Sequence, residues 1–344
     1  MIVQCNLILV HTPGYQNVGD FQQIAEAVHR LAPDIEVFIV SNAISNSVTR
    51  RRAGNRPSLI FSPGHLLEFR PLRGKVYAGS PIPKLEQIAR LEAAGLPVPA
   101  SAEITPGLVL PEAKFGSHVV VKPGFSQASL GEHMALMRRE SVRFVPRQAY
   151  PEAHPGRHGP MFAQRFIDTG PYVSHCRVLT LFGAALMAYR TISHVPRPPL
   201  DAPDDVLAKV SLKATRQGGG TRELTGDADV IDLARRTYSA LPEAPLQGVD
   251  IIREAESGRL FVLEANPGGN TWTFSKGAMR TRQAALTKAL GVERLTDHFD
   301  AFTAACRSRP TSWVMGRPPM PATQSSSNPR DRSEDIPLLR RRFW

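Results

Sequence analysis

Asp250, Glu264 and Asn266 are three oxygen-bearing side chains with the chemistry to hold a divalent cation. They fall in GVDIIREAESGRLFVLEANPGG, residues 248–269, where two β-rich runs flank the turn-forming EAESG. A five-residue loop over 255–259 pairs Glu254 with Leu260 and, counting back, sets Asp250 opposite Glu264. Alternation along the second run puts Leu260, Val262, Glu264 and Asn266 on one face. Directly opposed carboxylates repel. A hard cation such as Mg²⁺ would remove that penalty and accept carboxylate and amide oxygens as ligands. A solvated acidic hairpin would carry the same residues, so the hairpin alone leaves both readings open.

The elements that must position these residues begin with a βαβ pattern. Residues 2–10 read as a buried strand and 20–31 as an amphipathic helix with Asp20 at its cap. Residues 35–40, 58–62 and 76–80 read as further strands, which predicts a small open α/β domain over 1–79. A basic cluster, Arg50, Arg51, Arg52 and Arg56, reads as a solvated loop. From residue 80 the pattern changes. Lys84–Ala94 reads as a helix stopped by Gly95, 118–124 as a strand ending in Lys122, and 125–131 as a small-residue loop. Residues 161–168 read as a strand and 177–192 as a hairpin turning at Phe182-Gly183-Ala184. Residues 216–222 read as a glycine loop, and 225–241 as a helix with Asp227 or Asp229 near its start. Two helical stretches, GAMRTRQAALTKALG and TDHFDAFTAACRSR, follow the acidic hairpin.

Taken in order, PKLEQIARLEAAGLPVP, VVVKPGFSQASLG, MFAQRFID, CRVLTLFGAALMAYR, QGGGTR and the GVDII…LFVLEANPGG hairpin resemble the ATP-grasp superfamily. The look is that of its ribosomal-protein glutamate ligase-like amino-acid ligases. The resemblance covers 80–307 and implies an α/β (α+β) fold, with two α+β subdomains clasping nucleotide behind the small N-terminal domain. It implies ATP and Mg²⁺ as cofactors. Lys84 and Lys122 match phosphate-contacting lysines, and Gln164, Arg165, Phe166 and Ile167 match the segment that meets adenine. Arg177 and Arg190 match basic residues that clamp phosphate or substrate carboxylate, and Asp250, Glu264 and Asn266 match the Mg²⁺ ligands. The sequence departs from the family at His175, where an acid is usual, and in a phosphate loop poorer in glycine. The implied activity is an ATP-dependent carboxylate–amine ligase working through an acyl phosphate. The alternatives are a kinase of the same fold acting on a small-molecule hydroxyl, or a nucleotide-binding interaction protein.

Composition narrows the partners. The net charge is +11, but residues 307–344 carry eight arginines against three acids, so the tail supplies nearly half of the excess. The remainder is mildly basic, which suits a phosphate-bearing ligand without requiring nucleic acid. No nucleic-acid motif is present and aromatics are 7% of the chain. The expected partners are small-molecule or peptide carboxylates and amines. Residues 308–344, rich in Pro, Ser and Arg, read as a disordered extension. Cys5, Cys176 and Cys306 form no metal spacing or disulfide framework, which predicts a reducing, cytoplasmic setting. No run of about 18 apolar residues predicts a transmembrane helix.

Overall fold

The computed structural model describes residues 5–44, 49, 51, 54–124, 133–213, 219–267 and 272. The helices expected after the acidic hairpin, the 125–131 loop and the tail beyond 308 lie outside these residues.

The N-terminal βαβ pattern forms an open α/β sheet. Strands β1 (Cys5–His11), β2 (Ile35–Ser41), β3 (Ser58–Ser62) and β4 (Lys75–Ala78) form a parallel sheet in the order β2-β1-β3-β4. Burial on both faces requires apolar runs rather than alternation. Ile8, Val10, Val40, Ile60 and Phe69 accordingly pack together on one side, and helix α1 (Val18–Leu31) packs against β1 and β2. The cap of α1 is Asn17, whose Oδ1 accepts the Gly19 N–H at 2.9 Å. Asp20 is instead buried in the first turn and accepts a 2.7 Å hydrogen bond from Trp272 Nε1. Trp272 stacks on Phe21 at 5.1 Å between ring centroids.

Two antiparallel sheets follow, giving the two α+β subdomains. The first has the order β5-β8-β6-β7, from β5 (Ser101–Glu103), β6 (His118–Pro123), β7 (Ala135–Arg138) and β8 (Met161–Arg165). The second has the order β11-β10-β9-β12-β13. Its strands are β9 (Tyr172–Leu181), β10 (Ala184–Pro196), β11 (Gly220–Leu224), β12 (Leu246–Arg253) and β13 (Leu260–Pro267). Of the glycine loop expected over 216–222, residues 216–218 lie outside the described residues, and β11 begins at Gly220. The β9–β10 turn is the dipeptide Phe182-Gly183, with φ of 48° and 78°. Both central residues sit in the left-handed region, as a tight hairpin turn of this hand requires.

One face of the second sheet is covered by helix α2 (Lys84–Ala93) and helix α3 (Ala228–Ala240). Leu91, Val178, Ala188, Leu233, Val249 and Val262 form the core of that layer. Asp227 caps α3 by accepting from the N–H groups of Asp229 and Val230. The opposite face carries the charged residues.

Candidate functional site

Helix α2 places the first lysine. Buried Gln87 grips the backbone of Ala265 twice, accepting from its N–H at 2.8 Å and donating to its carbonyl at 2.6 Å. Lys84 lies three positions earlier on the same helix face, and its Nζ reaches Glu264 Oε2 at 2.9 Å. The Lys84 N–H donates to the Gly124 carbonyl at 3.0 Å, tying the helix start to the end of β6. The start of α2 is therefore pinned between the two sheets, beside both Lys122 and Glu264.

Asp250 and Glu264 do pair across β12 and β13. Their alignment arises differently from the five-residue loop expected. The ladder closes at Arg253–Leu260, so the loop spans six residues, 254–259, and an extra residue at Leu263 restores the register. That bulge also overturns the single-face expectation. Leu260 and Val262 pack with the helix-covered core, whereas Glu264 and Asn266 stand on the opposite face, level with Asp250 and Gly248. A bulge changes which side the following residues face. Asn266 Nδ2 sits between the two carboxylates, 3.1 Å from Asp250 Oδ2 and 3.1 Å from Glu264 Oε1, and donates to the Gly248 carbonyl at 3.2 Å.

Arg177 is opposite Asp250 in the β9–β12 ladder and binds it bidentately, Nε to Oδ1 at 2.7 Å and Nη2 to Oδ2 at 2.5 Å. Burial opposes the charge on Arg177, but Asp250 outweighs it and holds the guanidinium proton above its ordinary range. Burial would likewise raise the Glu264 carboxyl, yet Lys84, Lys122 and Arg177 together hold it well below the usual carboxylate range. Lys122 is 7% exposed. Its Nζ donates to Gln164 Oε1 at 2.7 Å and lies 5.3 Å from the Phe162 ring centroid. Burial and Lys84 push its pKa down to about 8, with Glu264 and Asp250 pulling the other way.

That shift makes a stability prediction. Below about pH 8 Lys122 is charged in both states, and folding bears the full burial cost. Between 8 and the ordinary 10.5 the folded protein has released the proton and the unfolded chain has not, so stability from this group rises with pH. Lys122→Met removes the penalty. The unfolding free energy of the variant minus that of wild type should be greatest near pH 7 and fall by about 3 kcal/mol by pH 10.5, read by denaturant titration across that range.

The remaining sequence-selected residues divide. Gln164 is buried and bridges Lys122 to Ser101, donating to Ser101 Oγ at 3.0 Å. Arg165 turns away to pair with Glu254 at 3.0 Å. The N–H groups of Arg165 and Phe166 are bound to the carbonyls of Ala100 and His118, so two of the backbone donors expected here are already used. Among the described residues no partner takes the Ile167 N–H. Phe166 joins an apolar cluster with Val120, Leu136 and Leu207, and Ile167 packs on Ile252 and Phe261.

Arg190 does not join the cluster. In a regular hairpin turning at Phe182-Gly183 it would lie opposite His175 and share a face with Arg177. An extra residue at Leu186 shifts the ladder, so Arg190 pairs with Cys176 on the helix-covered side and is exposed there. The arginine that does share the face of Arg177 is Arg222, paired with Thr191, which pairs with His175. The QGGGTR motif contains it, and its position two residues from Gly220 at the start of β11 was the available signal.

The donor set suits Mg²⁺. Among the described residues no three His, Cys, Asp or Glu side chains converge. Two carboxylates would hold the ion, joined by Asn266 once its amide turns to present Oδ1. That is few protein ligands, as expected for Mg²⁺, which keeps water and phosphate oxygens in its shell. Three cations, Lys84, Lys122 and Arg177, face two carboxylates, so the centre has positive charge to spare for a polyanion.

No family model matches the chain, and no curated protein matches it. Several solved structures are similar over most of its length. The ATP-grasp ligase PsnB complexed with minimal precursor is 17% identical, with a TM-score of 0.48 over 88% of this chain and all of that one. The D-cycloserine synthetase DcsG is 15% identical, with a TM-score of 0.43 over 82% of this chain and 99% of that one. The D-alanine–D-alanine ligase from Bacillus anthracis is 12% identical, with a TM-score of 0.41 over 88% of this chain and 97% of that one. Among the described residues no helix is long and apolar enough to cross a membrane.

Proposed function

We propose that the chain is an ATP- and Mg²⁺-dependent carboxylate–amine ligase. The observation that carries this reading is the convergence of Lys84, Lys122 and Arg177 on the opposed Asp250–Glu264 pair and Asn266, where α2 meets both sheets. Cations gathered over a carboxylate pair match what a nucleoside triphosphate and a divalent ion need together. Phe166 and Ile167 supply apolar contact for a purine, and the Ile167 N–H a donor for its edge.

In this reading Asp250, Glu264 and Asn266 would hold Mg²⁺, which would supply charge neutralisation for the phosphate oxygens. Lys84 and Lys122 neutralise phosphate oxygens, and buried Gln164 fixes the direction of the Lys122 ammonium. Arg177, locked by Asp250, presents its outer edge to the transferring group or the substrate carboxylate. The substrate carboxylate attacks the γ-phosphoryl group, giving an acyl phosphate and ADP. The amine then attacks the acyl carbon, the C–N bond forms, and inorganic phosphate leaves with the C–O bond electrons and takes up the proton that the amine nitrogen loses. The residues position and neutralise, and none forms a covalent intermediate.

The experiment is a screen of amino acids and small carboxylates with ATP and Mg²⁺, followed by ³¹P spectroscopy of any mixture that releases ADP. Equal yields of ADP and free phosphate are expected. ADP with a phosphorylated product and no free phosphate would replace the ligase with a kinase.

A further inference from the structure

We propose that Arg222, Thr191 and His175 form an oxyanion subsite for a substrate carboxylate other than the one activated. They lie in one row across β11, β10 and β9, on the sheet face that carries Arg177 and Asp250. The proposal rests on the ligase reading for the identity of the ligand, though not for the anion chemistry.

Arg222 differs from Arg177, the arginine that shares its sheet face and binds Asp250. Arg222, which is only partly exposed, makes no hydrogen bond or ion pair among the described residues, and its guanidinium lies 4.6 Å over the Tyr189 ring. Its Nε is buried without a partner, and so is the hydroxyl of Thr191, which is 0% exposed. Each such donor costs free energy until something accepts from it. Two unpaired donors side by side on one sheet face suit an anionic acceptor.

The geometry selects the ligand. A guanidinium offering Nε and an Nη binds a carboxylate bidentately, and the Thr191 hydroxyl adds a third donor. Burial pushes the His175 pKa down, so at neutral pH its imidazole is uncharged and offers one N–H. The row runs outward from β9 to β11, on the side of β9 away from β12, which suits the distal carboxylate of a substrate laid across the sheet. The substrate class is thus a dicarboxylate, or an amino acid or peptide whose second carboxylate is not consumed.

The test is thermal unfolding of the full-length protein with glutarate, acetate or inorganic phosphate at matched ionic strength, and separately with ATP·Mg²⁺. Glutarate should raise the wild-type midpoint. Arg222→Gln should weaken that effect at least tenfold in ligand concentration, Arg222→Lys and Thr191→Val should weaken it less, and Arg235→Gln, on the exposed side of α3, should retain it. Glutarate acting equally on wild type and both Arg222 variants would overturn the subsite, as would no glutarate effect at all. Phosphate acting through Arg222 as strongly as glutarate would overturn its assignment to a carboxylate. An ATP·Mg²⁺ shift without an Arg222-dependent glutarate shift removes the subsite alone. A glutarate shift through Arg222 without any ATP·Mg²⁺ shift removes the ligase reading and keeps the subsite.

Discussion

Glu264→Gln should lower substrate-dependent ADP release by roughly 10²- to 10³-fold, the usual loss when one preorganised electrostatic contact to a reacting group is removed. The substitution keeps the shape of the side chain and an oxygen for Lys84 and Asn266, so the fold should persist. What it removes is a negative charge that the site is built to hold. Lys84, Lys122 and Arg177 keep Glu264 ionised despite its burial, and without it three cations face Asp250 alone. Steady-state rates, with circular dichroism to verify folding, measure the effect. Wild-type turnover in the variant would remove Glu264 from the reaction.

The second large effect is on stability. Arg177→Met should destabilise the protein by about 3–5 kcal/mol, because it leaves the carboxylate of Asp250 buried without its bidentate partner. Asn266 still donates to Asp250 Oδ2, but a single amide hydrogen bond does not replace a guanidinium fork. The double variant Arg177→Met, Asp250→Asn should be more stable than the first single variant, since it no longer buries an unpaired charge. Denaturant unfolding of the three proteins gives the coupling. Additive losses would mean that Asp250 finds another counter-charge when Arg177 is absent.

Much of this arrangement was legible in the residues. The apolar runs at β1, β2 and β3 announced the parallel sheet, and the lysine-ended VVVK run announced β6. The pairing of Asp250 with Glu264 was also legible, although a loop one residue longer and a bulge at Leu263 offset each other to produce it. Bulges are what alternation cannot encode, because the extra residue looks like any other in the run. The one at Leu263 divided Val262 from Glu264, and the one at Leu186 turned Arg190 away and left Arg222 on the site face. Contacts between distant segments were equally silent. Gln87 and Ala265 are 178 residues apart, and nothing local to either says that this glutamine sets the position of Lys84. Asp20 shows the same limit, having the residue type and place of a cap while Asn17 caps and Asp20 receives Trp272.

The central claim is that Lys84, Lys122, Arg177, Asp250, Glu264 and Asn266 form one ATP·Mg²⁺ site. Calorimetric titration of the full-length protein with a non-hydrolysable ATP analogue tests it most directly, run with Mg²⁺ and with a chelator, on wild type and on Glu264→Gln. The account predicts one-to-one binding to wild type that weakens at least tenfold in chelator, and a variant whose weaker binding no longer responds to Mg²⁺. Wild-type protein that binds no analogue, or binds it equally with and without Mg²⁺ and Glu264, would contradict it.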